Sequence, residues 1–261
     1  MKKLIYINGD SYTAGEELAD YSLPGFPGTS KGPGFNINQR WMQDRVKLIK
    51  DYTSYSKIQK KLSWAGQLEN KNLTVINGSK SGASMTGIAM RTMYDLLKLQ
   101  KEGKTPDIVL IQITSFDRIE VFSDDDPYYG FFDFPVAYCS AENQHIQNLS
   151  RQYIATYADS NFVTKFLYGL VALNNTVLGI TGKPPILLST PLSEHFNNFI
   201  FRSKIKDLIE MSKFNTVDSL NLPMSHFQAQ TGNNMLPGGH SDLPTHSLFA
   251  EEIYNKYIKN L

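Results

Sequence analysis

The sequence predicts an α/β protein, a three-layer α/β/α sandwich around a parallel sheet of about five strands. Three observations carry this. Short apolar runs rich in β-formers alternate with segments of helical period, as in a sheet built from βαβ units. The run Ile108–Ile113 is nearly all apolar, as expected of a central strand covered on both faces. No internal repeat, low-complexity tract or interdomain linker interrupts the 261 residues, of which 41% are hydrophobic and 20% charged. That composition suits one globular domain over 1–261 with a real core, decorated by loop insertions near 20–50 and 119–146.

The elements follow in order. Residues 3–8 read as the first strand. The Gly/Pro-rich stretch from Leu23 to Gly34 is a long loop, and long loops in compact domains are more often functional than idle. Residues 54–70 have helical spacing, with Ile58, Leu62, Ala65 and Leu68 on one face. Leu73–Ile76 is the second strand and 84–101 the second major helix. After the strand at Asp107–Ile113, residues 119–146 turn aromatic and acidic. A long helix is expected over 149–180, a buried strand at Ile186–Ser189, a helix over 196–213, and an amphipathic helix after Pro244.

Charge and composition narrow the function. Lys plus Arg (26) nearly balances Asp plus Glu (25), a net charge of +1. A dedicated nucleic-acid binder usually shows a basic excess, so no nucleic-acid partner is expected. The lone Cys139 excludes an internal disulfide and any cysteine-based zinc site. The apolar stretch after Met1-Lys2-Lys3 stops at Ile7, short of a secretory segment. No run approaches the ~20 apolar residues of a membrane span. A cytoplasmic protein without membrane partner is the expectation.

The chemistry starts at Gly9-Asp10-Ser11, directly after the first strand. A serine there sits at the carboxyl edge of the sheet, where open α/β sheets place their ligands. A helix starting near Thr13 would aim backbone N–H groups at the same spot. Such a serine suits nucleophilic attack on an ester if a base and oxyanion donors are supplied elsewhere. Helix capping is the alternative role for this serine.

The order of short motifs along the chain resembles the SGNH/GDSL hydrolase family, whose fold is flavodoxin-like. Gly9-Asp10-Ser11 matches the nucleophile block, which makes Ser11 the implied nucleophile and its N–H one oxyanion donor. Asn77-Gly78-Ser79-Lys80-Ser81-Gly82 matches the second block, with Gly82 as the next donor. Gly238-Gly239-His240-Ser241-Asp242-Leu243-Pro244-Thr245-His246 resembles the histidine block. It implies His240 as the base in preference to His246, which opens the last helix and whose other role is capping or packing. A histidine titrates near neutrality, so it can take the serine proton and return it.

Two positions depart from the family. An aspartate usually precedes the histidine by three residues; here that position is Pro237. Asp242 is the nearby carboxylate that could substitute, orienting either His240 or His246. The family's oxyanion asparagine aligns with Phe116, in Thr114-Ser115-Phe116-Asp117-Arg118. Ser115 or Thr114 is the candidate replacement hydroxyl and Arg118 a candidate charge, with Thr114, Arg118, Asp10 and Tyr128 as substrate-binding candidates. A similar Thr-Ser-x-x-Arg pattern occurs in divergent phage-encoded relatives.

The implied activity is a serine esterase that cleaves an O-acyl ester, such as an O-acetyl carbohydrate, through an acyl-enzyme on Ser11. It needs no cofactor and no metal; Asp124-Asp125-Asp126 lacks the ligand spacing of a calcium loop. Acyl transfer on the same fold, or a non-catalytic binding protein, are the alternatives. The aromatic cluster Tyr128–Phe134 reads as packing or as a substrate wall. The run Ser56–Lys61 reads as a solvated basic helix face.

Overall fold

The computed structural model describes residues 2–31, 44, 45, 47–114, 118–122, 131–135, 159–188 and 224–261. Its centre is a sheet of four strands among these residues, β1 (Leu4–Asn8), β3 (Thr74–Asn77), β4 (Ile108–Gln112) and β7 (Ile186–Leu188), in the order β3-β1-β4-β7. Every pairing is parallel, with Ile5 opposite both Val75 and Ile108, and Leu110 opposite Ile186. The α/β expectation holds.

Strand alternation sorts the core into two clusters, one per sheet face. Tyr6, Val109, Ile111 and Leu187 point to one side. There they meet Ile88 and Leu96 of a helix at Met85–Lys101, and Phe166, Leu170 and Val177 of a helix at Asp159–Thr181. Ile5, Ile7, Leu110 and Leu188 point to the other side, against Trp64, Leu68, Phe227 and Phe249. The second cluster is supplied by helices at Met224–Gln230 and Leu243–Ile253 and by the segment around Trp64. Helices therefore cover both faces, which is the three-layer arrangement.

In chain order the helices are α1 (Ser11–Ala14), α2 (Tyr52–Leu62), α3 (Trp64–Gln67), α4 (Met85–Lys101), α5 (Asp159–Thr181), α6 (Met224–Gln230) and α7 (Leu243–Ile253). Two antiparallel pairs lie apart from the main sheet, β2 (Ser30–Lys31) with β8 (Asn234–Met235), and β5 (Arg118–Phe122) with β6 (Phe131–Pro135). No helix among the described residues is long and apolar enough to cross a membrane.

Several sequence expectations change. The helix read as continuous over 54–70 breaks at Ser63, whose backbone is extended and whose hydroxyl accepts from Gly66 N–H to start α3. Of the apolar face read across that break, Ala65 and Leu68 are buried, but its α2 end is misplaced. Ile58 is 44% exposed, while Tyr55 and Gln59 are the buried residues of α2. α6 and the β2–β8 pair have no strong periodic signal in the sequence. The helix expected over 196–213, and residues 149–158 of the one expected over 149–180, lie outside the described residues.

Candidate active site

β1 delivers the chain to Gly9 at the carboxyl edge of the sheet, and Asp10 turns it into α1. The Asp10 carboxylate caps that helix by accepting from Tyr12 N–H at 3.1 Å, and it accepts from the Thr114 hydroxyl, also at 3.1 Å. Asp10 and Thr114 are both buried. Their bond ties the end of β4 to the turn carrying Ser11, so the structure places both in positioning that turn. α1 begins at Ser11, two residues before the expected start, and is a single turn closed by Gly15 N–H donating to Ser11 C=O. One turn carries little macrodipole.

The loop after β3 lies alongside this turn. Gly78 N–H donates to Ile7 C=O at 2.9 Å and Lys80 N–H to Gly9 C=O at 3.2 Å. The Asn77 amide reaches Thr13 C=O at 3.4 Å, and its oxygen takes Ser79 N–H and the Ser79 hydroxyl. Gly82, in the turn closed by Ala83 N–H on Lys80 C=O, has φ of +77°. A side chain at that left-handed position is strained, which explains a glycine there on conformational grounds. The structure thus brings the Gly82 loop to the Ser11 turn.

His240 arrives from the other end of the chain, in a tight loop. Leu236 N–H donates to His240 C=O, and Gly239 N–H to Leu236 C=O, both at 2.8 Å. Its imidazole lies against Tyr12, ring centroids 5.1 Å apart. Nδ1 is 2.8 Å from Glu17 Oε2, and Nε2 is 3.6 Å from Glu16 Oε2. The residue holding the imidazole is therefore Glu17, which the sequence reading did not single out.

Glu17 is built to stay in place. It is fully buried, and its backbone is left-handed at φ +67°. Its carboxylate accepts from Gly238 N–H at 2.6 Å and His240 N–H at 3.4 Å, besides the imidazole. Its own N–H donates to the Gln59 side chain at 3.1 Å. A Cβ at position 238 would stand 2.6 Å from Glu17 Oε1, so any larger residue there would have to displace the carboxylate. Behind it, Arg45 pairs with buried Asp20 at 2.8 Å and donates to Tyr55 OH at 2.8 Å, placing a cationic charge near Glu17.

The electrostatics follow from this packing. Burial alone would raise the Glu17 carboxyl, but the hydrogen bond and charge of His240, with Arg45 and Gly238 N–H, hold it below the ordinary range. Burial alone would lower His240. The charge of Glu16 and the bond and charge of Glu17, with Asp10 beyond, raise it instead. An imidazole gripped at Nδ1 by a buried carboxylate presents Nε2 for proton transfer.

Asp242 takes a different place from the one expected. Its carboxylate accepts from Thr245 N–H at 3.1 Å and from the Thr245 hydroxyl at 2.6 Å, as the N-cap of α7. The carboxylate is thus committed to the helix start, and Glu17 holds His240. His246 is fully buried and accepts Trp64 N–H at Nδ1, 3.1 Å away. Burial, with His240 nearby, pushes its pKa down to about 3. It is a neutral core histidine that anchors α3. Ser115, Phe116, Asp124–Asp126 and Tyr128 lie outside the described residues, as does the side chain of Arg118.

No protein-family model matches the chain, and no curated protein matches it. Solved structures similar to it include a psychrotrophic esterase from Pseudoalteromonas sp. inhibited by monoethylphosphonate. That one is 15% identical, covers 99% of this chain and 98% of its own, and has a TM-score of 0.49. An α/β hydrolase from the metagenome of Lake Arreo, Spain, is 14% identical over 97% of this chain and 94% of its own, TM-score 0.49. A protein described as a GDSL-like lipase from Parabacteroides merdae is 14% identical over 98% and 96%, TM-score 0.40.

Proposed function

We propose that the protein is a serine ester hydrolase. Ser11 Oγ attacks the ester carbonyl and His240 Nε2 takes its proton. The N–H groups of Ser11 and Gly82 hold the oxyanion, with the Ser115 hydroxyl in place of an asparagine side chain. The proton passes from His240 to the departing alcohol. Water, deprotonated by the same imidazole, then hydrolyses the acyl-enzyme and regenerates Ser11.

The observation that carries this reading is the Glu17–His240 pair beside the Ser11 turn. A buried carboxylate at Nδ1 fixes the tautomer that leaves Nε2 as proton acceptor, and it stabilises the imidazolium formed during attack. It would also fill the gap left by Pro237, with the acid supplied by the segment just after α1. The exchange of an oxyanion asparagine for Phe116 has a rate consequence, since one such donor is typically worth roughly 10²–10³-fold. A slow catalyst on simple esters is the expectation unless Ser115 substitutes fully.

The test is hydrolysis of p-nitrophenyl acetate and butyrate by wild type and Ser11→Ala, with intact-mass detection of a fluorophosphonate adduct. Turnover and labelling that both disappear in Ser11→Ala support the assignment. A wild type that neither turns over nor labels overturns it and favours a binding protein on a hydrolase-like fold.

A further inference from the structure

Glu16 is tied to the nucleophile's turn and to the base at once. Its N–H donates to Ser11 C=O at 2.9 Å, which fixes it to the turn that carries Ser11. Its carboxylate oxygen Oε2 lies 3.6 Å from Nε2 of His240, the ring nitrogen that Glu17 leaves free. Tyr12, packed on the same imidazole, is the residue next to Ser11.

The two glutamates are partnered differently. Glu17 is buried and takes two backbone N–H groups besides the imidazole. The Glu16 side chain keeps 28% of its surface exposed and that of His240 18%, so a ligand can reach both. Among the described residues, His240 is the one polar group that the Glu16 carboxylate meets. Their separation of 3.6 Å is too long for a hydrogen bond. Glu16 therefore stands beside Nε2 without occupying it.

That placement bears on the alcohol part of the ester. In the hydrolase reading the carbonyl oxygen turns to the N–H groups of Ser11 and Gly82, and the departing alcohol oxygen takes its proton from Nε2. That transfer needs the alcohol oxygen within about 3 Å of Nε2, which sets the alcohol beside Glu16. An ester seated there strips water from a carboxylate to which no protein N–H or O–H is bonded within hydrogen-bond distance. Such desolvation is costly unless the ester itself supplies a donor. A donor one carbon along from the ester-bearing carbon completes a path from Nε2 through the ester oxygen to Oε2. Each step of that path is a contact of about 3 Å, which the separation of the two protein atoms permits. A carboxylate or phosphate in the same place would meet Glu16 with like charge.

We propose that Glu16 selects the alcohol, so that the ester cleaved at Ser11 carries a hydroxyl or ammonium donor on the carbon next to the one bearing the ester oxygen. This rests on the hydrolase reading and narrows its substrate class.

Three matched acetates test it at neutral pH: ethylene glycol monoacetate, its methyl ether, and the acetate of dimethylaminoethanol, whose amine is then protonated. Acetate release gives kcat/KM for wild type, Glu16→Ala and Glu16→Gln, and hydrolysis by hydroxide gives the intrinsic reactivity of each ester. After that correction, wild type should favour at least one donor-bearing ester over the methyl ether about tenfold, as expected of a hydrogen bond to a charged acceptor. Glu16→Ala should abolish the preference, and Glu16→Gln, whose amide oxygen still accepts, should keep part of it. Whichever donor ester gains more identifies the donor as hydroxyl or ammonium.

A substitution that slows all three esters by one factor assigns Glu16 to His240 alone and overturns the inference while leaving the hydrolase reading intact. So does a wild type that cleaves the three in proportion to their reactivity with hydroxide, or that cleaves p-nitrophenyl acetate and none of them. The comparison with hydroxide needs only wild type, so it decides even if both variants misfold. A wild type that cleaves neither these esters nor p-nitrophenyl acetate overturns the hydrolase reading and this inference with it.

Discussion

Glu17→Gln is the substitution whose outcome the structure fixes most tightly. The change keeps size and removes one charge, but the surroundings of the carboxylate admit no good orientation for an amide. Oε1 accepts Gly238 N–H at 2.6 Å, and Oε2 faces His240 Nδ1 at 2.8 Å and His240 N–H at 3.4 Å. With the amide oxygen toward Gly238, its NH2 confronts His240 and forces Nδ1 to become an acceptor, which places the proton on Nε2. With the amide reversed, its NH2 meets Gly238 N–H at a distance where two donors repel. Losing a charge-assisted bond of this kind costs about 1.5–3 kcal/mol of stability. Loss of the correct tautomer together with the stabilising charge is worth on the order of 10³–10⁴-fold in kcat. The assay is kcat/KM for p-nitrophenyl acetate from pH 5 to 9, with thermal unfolding of the same samples. Glu17→Gln should be several degrees less stable at pH 6, and its residual activity should rise with pH at a lower pH than in wild type, because its imidazole has lost an anion. A variant within threefold of wild type, with the limb unmoved, would refute the assignment of Glu17 to His240.

Other outcomes follow from the same contacts. Asp242→Ala removes the α7 cap, worth about 1 kcal/mol, and should lower the melting temperature while leaving kcat/KM for p-nitrophenyl acetate within a few-fold; a loss like that of Glu17→Gln would return the orienting role to Asp242. The Glu17–His240 pair should also shape stability against pH. The lowered Glu17 contributes above the ordinary carboxyl range and loses that contribution as pH falls through its folded value; the raised His240 contributes below the ordinary histidine value of 6.5 and loses it as pH rises through its higher folded value. The melting-temperature gap between wild type and Glu17→Gln should therefore be widest between about pH 4.5 and 6.5 and narrow on both sides. Activity should move oppositely over neutral pH, rising as His240 deprotonates; a wild type already at full rate at pH 6 contradicts the raised imidazole.

The sheet was legible because its strands are written as local apolar runs. Leu4–Asn8, Thr74–Asn77, Ile108–Gln112 and Ile186–Leu188 lie within or beside the runs that predict them. Helix breaks were less so. Ser63 splits α2 from α3 through a cap bond to Gly66 N–H, and an apolar pattern read across it continued as if the helix did. At the site, Ser11, Gly82 and His240 stand in motifs, whereas the carboxylate holding His240 lies 223 residues away in sequence. Proximity along the chain pointed to Asp242 instead. The start signal there was available, since an aspartate followed by Pro244 and Thr245 is a common helix opening. The paired Glu16-Glu17, directly after the turn with Ser11, was the visible trace of the other answer. The place of Lys60, within the run read as a solvated basic face, was hidden in the same way. Its neighbours Lys57 and Lys61 are exposed, and only the fold turns Lys60 toward Asn77.

The grip of Glu17 on the 238–240 loop has a consequence for how the chain acquires its native state. Before that loop docks, the Glu17 carboxylate has the charge of Arg45 nearby but none of the hydrogen-bond donors of residues 238–240. Ordering that turn early is unfavourable, because a buried carboxylate without its donors is a large desolvation penalty. The penalty disappears only when Gly238 and His240 supply their protons. The two ends of the protein are thus mutually conditional, and the Glu17 turn cannot rigidify much ahead of the histidine loop. Amide protons of residues 16–18 and 238–240 should exchange as one cooperative unit, so that a disturbance at either end loosens the nucleophile and the base together.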